Sequence, residues 1–187
     1  TMGGVVIILA TVVAWLIGAL VAGAGPSWSG LLLIFLFVGL GVIGLLDDGI
    51  KIMRQRSLGL HPSGKIIGQV AVASLFALGT LIKPNEFGEY PGTLAISFAR
   101  PTALTLGFAG LGLGIALYLI WTNLIVTAWS NATNLTDGLD GLAAGVSIFV
   151  FGAYTFITYF QRIQACTQLG ANPANCYSTR DPLDLAI

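Results

Sequence analysis

Residues 5–22 read VVIILATVVAWLIGALVA, with no charge anywhere in the run. A helix that crosses the hydrocarbon core of a bilayer needs about 20 predominantly apolar residues. A soluble amphipathic helix would instead return to polar side chains every three or four positions, and this stretch does not. The charge-free tract is wider than the span itself. Residues 1–46 contain no Asp, Glu, Lys or Arg, and neither do residues 101–136. Across 187 residues the chain is 56% hydrophobic and 9% charged, with a mean hydropathy of +0.89. Soluble domains carry about 25% charged residues, so a water-facing surface cannot be covered here. The formal net charge is zero, and no basic face appears that could neutralise a run of nucleic-acid phosphates.

Four further stretches fit the same reading. The turn-rich GAGPSWSG at 23–30 separates the first span from a second at about 31–46. A third covers 66–82, a fourth about 103–128 and a fifth about 142–160. The expected fold is all-α, a polytopic membrane bundle of about five transmembrane helices in one membrane domain over residues 1–187. Gly107, Gly110, Gly112 and Gly114 would allow close helix–helix contact in the fourth span. The opening Thr1-Met-Gly-Gly4 lacks the basic segment of a signal peptide. The last residues, Asp184-Leu-Ala-Ile187, start another apolar run, so the chain reads as a piece of a longer protein.

Loop charge sets the orientation. Lys51, Arg54, Arg56 and Lys65 crowd the connection 47–65, against Lys83 with Arg100 and Arg162 with Arg180 on the other side. The positive-inside rule makes 47–65 cytoplasmic, and two helices later 131–140 returns to that side. On the outer side, Leu94, Ile96 and Phe98 alternate with Ala95 and Ser97 between Pro91 and Pro101, predicting a short strand or half of a hairpin. Trp28 and Tyr90 suit the interfacial belt. Cys166 and Cys176 fall in the last outer loop, where an oxidising compartment permits a disulfide; two unpaired thiols are the alternative.

Four of the eight acidic residues form two tight pairs, both on the expected cytoplasmic side. Asp47-Asp48 ends the second span, where carboxylates oppose the helix macrodipole and repel each other. A metal ion or a cation such as Lys51 would compensate; a solvated loop start is the plainer alternative. Asp137 and Asp140 lie within NATNLTDGLDGL at 131–142. Asp137 could cap the fifth helix with Asp140 in its first turn. Alternatively, Asn131, Asn134 and the paired acids form a ligand cradle. Carboxylates without Cys or His clusters favour a hard cation such as Mg²⁺, which binds one or two carboxylates plus substrate phosphates. The single His61 reads as a loop residue. The basic residues of 47–65 serve topology or phosphate binding equally well. Together these parts suit phosphoryl transfer.

Leu45-Leu-Asp-Asp48 with Lys51, the segment from Asn131 to Ala143, and Arg56-Ser-Leu-Gly-Leu60 followed by Lys65 and Gln69 resemble the polyprenyl-phosphate N-acetylhexosamine-1-phosphate transferase superfamily, and within it the muramoyl branch. The likeness covers the whole chain as helices two to six of a ten-helix fold. It implies Mg²⁺-dependent transfer of phospho-MurNAc-pentapeptide from UDP-MurNAc-pentapeptide to undecaprenyl phosphate, giving lipid I and UMP in peptidoglycan synthesis. By position, the resemblance places Asp47 and Asp48 at the catalytic centre. Asp47 matches the residue suggested to deprotonate the lipid phosphate, with Asp48 as rival. A phosphomonoester is mostly ionised near neutral pH, its second pKa being about 6, so positioning and charge screening are the larger task. Asn134 and Asp137 would lie near diphosphate and ribose, Asp140 near uracil, with Asn131 in the same substrate cradle. Lys51 and Lys65 would assist as cations, and Thr1 would border the nucleotide. Asp137 is the metal ligand within reach, the family's main Mg²⁺ aspartate and its histidine-rich loop belonging to later motifs absent from these residues. The 187 residues alone are therefore expected to be inactive.

The partners implied are the nucleotide donor, undecaprenyl phosphate, the bilayer and, as an option, a second copy in a homodimer. The implied location is the bacterial cytoplasmic membrane, with the site on its inner face. Three other readings stay open: a UDP-GlcNAc transferase of the sister branch, a cation-coupled transporter, and a structural membrane subunit.

Overall fold

A computed structural model describes residues 3–21, 23, 25–55, 59–84, 88, 90–97, 101–136, 141–163, 165, 166 and 176. Five helices dominate it: α1 (Gly3–Val21), α2 (Trp28–Arg54), α3 (Pro62–Ile82), α4 (Leu111–Thr136) and α5 (Leu142–Ile163). All five are long and apolar enough to cross a membrane. Between α3 and α4 lie an antiparallel pair, β1 (Ala95–Ser97) and β2 (Pro101–Thr105), and a 3-10 turn at Leu106–Ala109.

The bundle is apolar outside and small or polar inside. Large side chains such as Leu20, Phe37, Ile67, Phe149 and Phe151 are exposed, whereas the buried positions include Ala73, Ala77, Gly79, Thr80 and Gln69. Lipid tails are as apolar as leucine, so burying leucine between helices brings no gain. Close backbone approach and hydrogen bonds hold membrane helices together instead.

α3 uses one device on each side. Toward α2 it offers and fills glycine notches. Val72 sits over Gly39, Ile43 over Gly68, and Leu32 over Gly79. The paired numbers advance in opposite directions, so the two helices are antiparallel and in fixed register. Toward α4 the contacts are polar. Gln69 Nε2–H donates to Ser130 Oγ at 3.0 Å, Asn123 Nδ2–H donates to Ser74 Oγ at 3.0 Å, and the Thr80 and Tyr118 hydroxyls lie 2.9 Å apart. These three rungs also run antiparallel.

A Cβ on Gly39 would stand 2.8 Å from Val72 Cγ1, and valine is stiff at χ1. Gly39→Leu is expected to destabilise the protein by about 1–3 kcal/mol, read as an earlier melting transition in detergent. Gly44→Ala, a position with nothing within 4 Å of a new Cβ, is expected to leave the transition in place.

Three expectations are corrected. α2 does not end at Asp47-Asp48 but runs on to Arg54, so Asp47, Asp48, Lys51 and Arg54 are helical rather than in a loop. Lys51 and Arg54 in the last turn offset the dipole that the carboxylates oppose. At 27 residues α2 is about 40 Å long, longer than a hydrocarbon core of about 30 Å, which lets its charged end stand clear. The fourth span starts at Leu111, later than expected, because residues 101–109 form β2 and the 3-10 turn. The glycine run therefore joins that turn to α4, not helix to helix: a Cβ on Gly114 would lie 3.0 Å from Gly107 Cα. Two other expectations hold: the strand, observed at Ala95–Ser97, is half of an antiparallel pair, Phe98 lying outside the described residues, and Cys166 and Cys176 are disulfide-bonded. Trp28 donates its indole N–H to Gly79 O at 3.0 Å, with Lys83 Nζ 5.5 Å from the centre of its ring, which ties the start of α2 to the end of α3.

Candidate active site

The antiparallel pairings bring one set of helix ends together. Ile43 of α2 meets Gly68 of α3, and Gln69 of α3 meets Ser130 of α4. Thus the end of α2, the start of α3 and the end of α4 share one end of the bundle. The start of α1 joins them, since Ile8 packs against Gly41.

At that end the last turns of α2 carry Asp47, Asp48 and Lys51. Helical spacing puts Lys51 four residues from the first acid and three from the second, within side-chain reach of both. Its Nζ lies 2.7 Å from Asp47 Oδ2 and 3.3 Å from Asp48 Oδ1. The two carboxylates are not equivalent. Asp47 Oδ1 also accepts the Leu60 backbone N–H at 2.7 Å, so both its oxygens are engaged, and its side chain is 18% exposed. Among the described residues Asp48 has only the longer lysine contact, and it is 51% exposed. The chain returning from α2 presses onto this pair at Gly59. A Cβ there would overlap Asp47 Oδ1 and come within 2.7 Å of Lys51 Cε and 2.8 Å of the Asp47 carbonyl oxygen. Only a glycine lets that strand of backbone close over the carboxylate.

A second polar group lies between α3 and α4. Gln69 bridges to Ser130 and Asn131, while Asn131 also donates to Thr127 O at 2.8 Å. Asn134 is on α4, exposed, three residues beyond Asn131. Lys65 lies in the first turn of α3, four residues before Gln69, its N–H bonded to His61 O at 3.2 Å. His61 precedes α3 and pairs its Nδ1 with Ser63 Oγ at 2.7 Å, a loop role as expected.

The structure thus gathers Asp47, Asp48, Lys51, Lys65, Asn131 and Asn134 at one end. Asp137, Asp140, Thr1 and Arg56 lie outside the described residues, and so do the cap and metal readings of Asp137. Among the described residues no group of three or more His, Cys, Asp or Glu could hold a metal. Asp48 does fit one ligand position for Mg²⁺: a half-exposed carboxylate with a single long contact among the described residues, near the charged end of α2. Sequence reasoning missed the Leu60 amide, Gly59 and Ser130. The signal for Gln69's placement was available, as a lone amide inside an otherwise apolar span.

Five helices long and apolar enough to cross a membrane, with a carboxylate–lysine group at one end, define a multi-pass membrane protein. The sequence matches the Glycosyl transferase family 4 model over residues 30–172, and the chain belongs to that family. It is 54% identical over 187 residues to the phospho-N-acetylmuramoyl-pentapeptide-transferase of Beutenbergia cavernae, covering 100% of this chain and 52% of that protein. The protein of the same name from Renibacterium salmoninarum is 49% identical over 195 residues, with 53% of it covered, and that of Micrococcus luteus 50% over 194 residues, with 51% covered. In both cases all of this chain is covered. The chain spans about half the length of the curated relatives it matches. No solved structure matches it.

Proposed function

We propose that the full-length protein containing this chain transfers phospho-MurNAc-pentapeptide from UDP-MurNAc-pentapeptide to undecaprenyl phosphate, with Mg²⁺, releasing UMP and forming lipid I. The observation that carries this reading is the asymmetric Asp47–Lys51–Asp48 group, gathered with Lys65, Asn131 and Asn134 at one end of the bundle. Phosphoryl transfer asks a protein mainly for positioning and charge stabilisation, and these residues supply both.

The roles divide by environment. Lys51 and Lys65 screen the phosphates of donor and lipid as they approach. Asp47, held by Lys51 and by the Leu60 amide, fixes the lysine. Asp48 is the carboxylate free to hold Mg²⁺ or orient the lipid phosphate, with Asp137 as a further ligand. Bound there, Mg²⁺ would supply charge neutralisation at the phosphate oxygens. Asn131, Asn134, Asp137, Asp140 and Thr1 bind the nucleotide-sugar.

The site faces the cytoplasm in this reading. Loop charge supports that orientation, and so does the disulfide. Cystine persists in oxidising compartments, and Cys166–Cys176 follows the end of α5 remote from Asp48. The position of the acids at helix ends favours a transferase over a transporter, whose sites lie near the bilayer midplane.

The reconstituted full-length protein with Mg²⁺ and undecaprenyl phosphate is expected to release UMP from UDP-MurNAc-pentapeptide and not from UDP-GlcNAc. Release only from UDP-GlcNAc would move it to the sister branch, and release from neither, with folded protein shown, would defeat the transferase reading.

A further inference from the structure

Gln69 is the largest side chain fully buried among the described residues, 2% exposed. α4 engages both ends of its amide. Nε2–H donates to Ser130 Oγ at 3.0 Å, and Oε1 accepts from Asn131 Nδ2 at 3.2 Å. Asn131 Nδ2 has a second acceptor, the Thr127 carbonyl oxygen at 2.8 Å. A carboxamide nitrogen carries two hydrogens, and both are spent inside the bundle. Asn131 Oδ1 has no partner among the described residues and is not among their buried unpaired atoms. Turning the Asn131 amide over would set its oxygen against two acceptors, Gln69 Oε1 and Thr127 O. Gln69 could turn in response, because the Ser130 hydroxyl can donate as well as accept. The Thr127 carbonyl cannot change, and in a low-dielectric interior that opposition is costly.

We propose that Gln69 is a positioning residue that, together with the Thr127 carbonyl, locks Asn131 with its oxygen toward the site, so that Asn131 accepts a hydrogen bond from a hydroxyl of the nucleotide-sugar instead of donating to a phosphate. This rests on the reading that the site binds a nucleotide-sugar. Phosphate oxygens are acceptors and find no donor on Asn131. A ribose or hexosamine hydroxyl donates to the amide oxygen directly. Asn131 thereby contributes to choosing the sugar, while Lys51 and Lys65 serve the phosphates.

The test compares Asn131→Asp with Asn131→Ala in the full-length protein. A carboxylate accepts and cannot donate; Gln69 can turn its amide to face it, whereas the Thr127 carbonyl cannot. Asn131→Ala is expected to raise the KM for UDP-MurNAc-pentapeptide about tenfold, the worth of one good hydrogen bond of about 1.4 kcal/mol. Asn131→Asp is expected to fall between wild type and Asn131→Ala, because it keeps the acceptor toward the sugar while losing the bond to Thr127 O. Gln69→Leu should raise the donor KM like Asn131→Ala and add little on top of it. Neither Gln69→Leu nor Asn131→Ala should move the KM for undecaprenyl phosphate, and Gln69→Glu, which keeps an acceptor for Asn131, should recover most of the loss. Asn131→Asp worse than Asn131→Ala would mean a phosphate contact and would overturn the proposal. So would a change confined to the Mg²⁺ dependence, or a Gln69→Leu loss shared equally by both substrates with a lower melting temperature. If the folded wild type turns over no nucleotide-sugar, the proposed function fails and this inference with it. An active wild type with the variants in the wrong order overturns this inference alone.

Discussion

Asp48→Asn is expected to lower turnover by the full-length protein about 10²–10⁴-fold, the range for loss of a positioned acid–base or charge-stabilising group. The protein should still be recovered folded from detergent. The described fold does not depend on this side chain: it is 51% exposed and, among the described residues, makes one contact, at 3.3 Å to Lys51. Its removal therefore costs little structure and takes away the one carboxylate of the pair that is not already committed. Asp47→Asn is expected to be as damaging by another route. The amide oxygen can still take the Leu60 N–H, but its NH₂ then faces Lys51 Nζ, and donor meets donor. Lysine loses its anchor at 2.7 Å. Turnover measured at saturating Mg²⁺, next to a melting curve, separates the two effects. A near-normal rate in Asp48→Asn would remove that residue from the chemistry.

Gly59→Val should reduce turnover by about 10²-fold without changing any charged residue, since a displacement of about 1 Å in a reacting site has that effect. The reason is local: a Cβ at 59 would overlap Asp47 Oδ1 and crowd the Asp47 carbonyl oxygen at 2.8 Å. Backbone cannot retreat as a side-chain tip can, so the chain around Leu60 must lift. Its N–H then leaves Asp47, and Lys51 moves with the freed carboxylate. Gly59→Ala should show a smaller loss of the same kind. The check is a comparison of kcat with the melting temperature in detergent. Full activity in Gly59→Val would show that the closure over Asp47 is dispensable.

The membrane bundle was legible from the chain because water exclusion leaves a long, uninterrupted mark: residues 1–46 carry no charge. Helix limits were less so. Hydropathy stops at the first charged residue, whereas the α2 backbone continues because Asp47 and Lys51 satisfy each other one turn apart. At 101–109 an apolar run without clear period reads equally as strand or helix, and the chain forms a strand and a 3-10 turn there. The acidic pair at 47–48 could be picked out as chemically charged with purpose, but not the difference between its members. That difference comes from a backbone amide thirteen residues away, which no local pattern encodes. Gln69 was visible as a polar residue in an apolar span, yet its partners depend on how α3 and α4 register.

That register has a consequence for how the sequence can drift. α3 meets α2 through notches at Gly39, Gly68 and Gly79, and meets α4 through Gln69, Ser74 and Thr80. Sliding α3 along either neighbour by one turn would leave side chains over filled notches on one side and unpaired hydrogen-bonding groups on the other. Substitutions along these seams therefore have to come in matched pairs. Exposed side chains of α1 and α5 such as Leu20, Phe149 and Phe151 take part in neither seam, so a change there needs no matching change in α2, α3 or α4, whereas the middle three helices have to vary together.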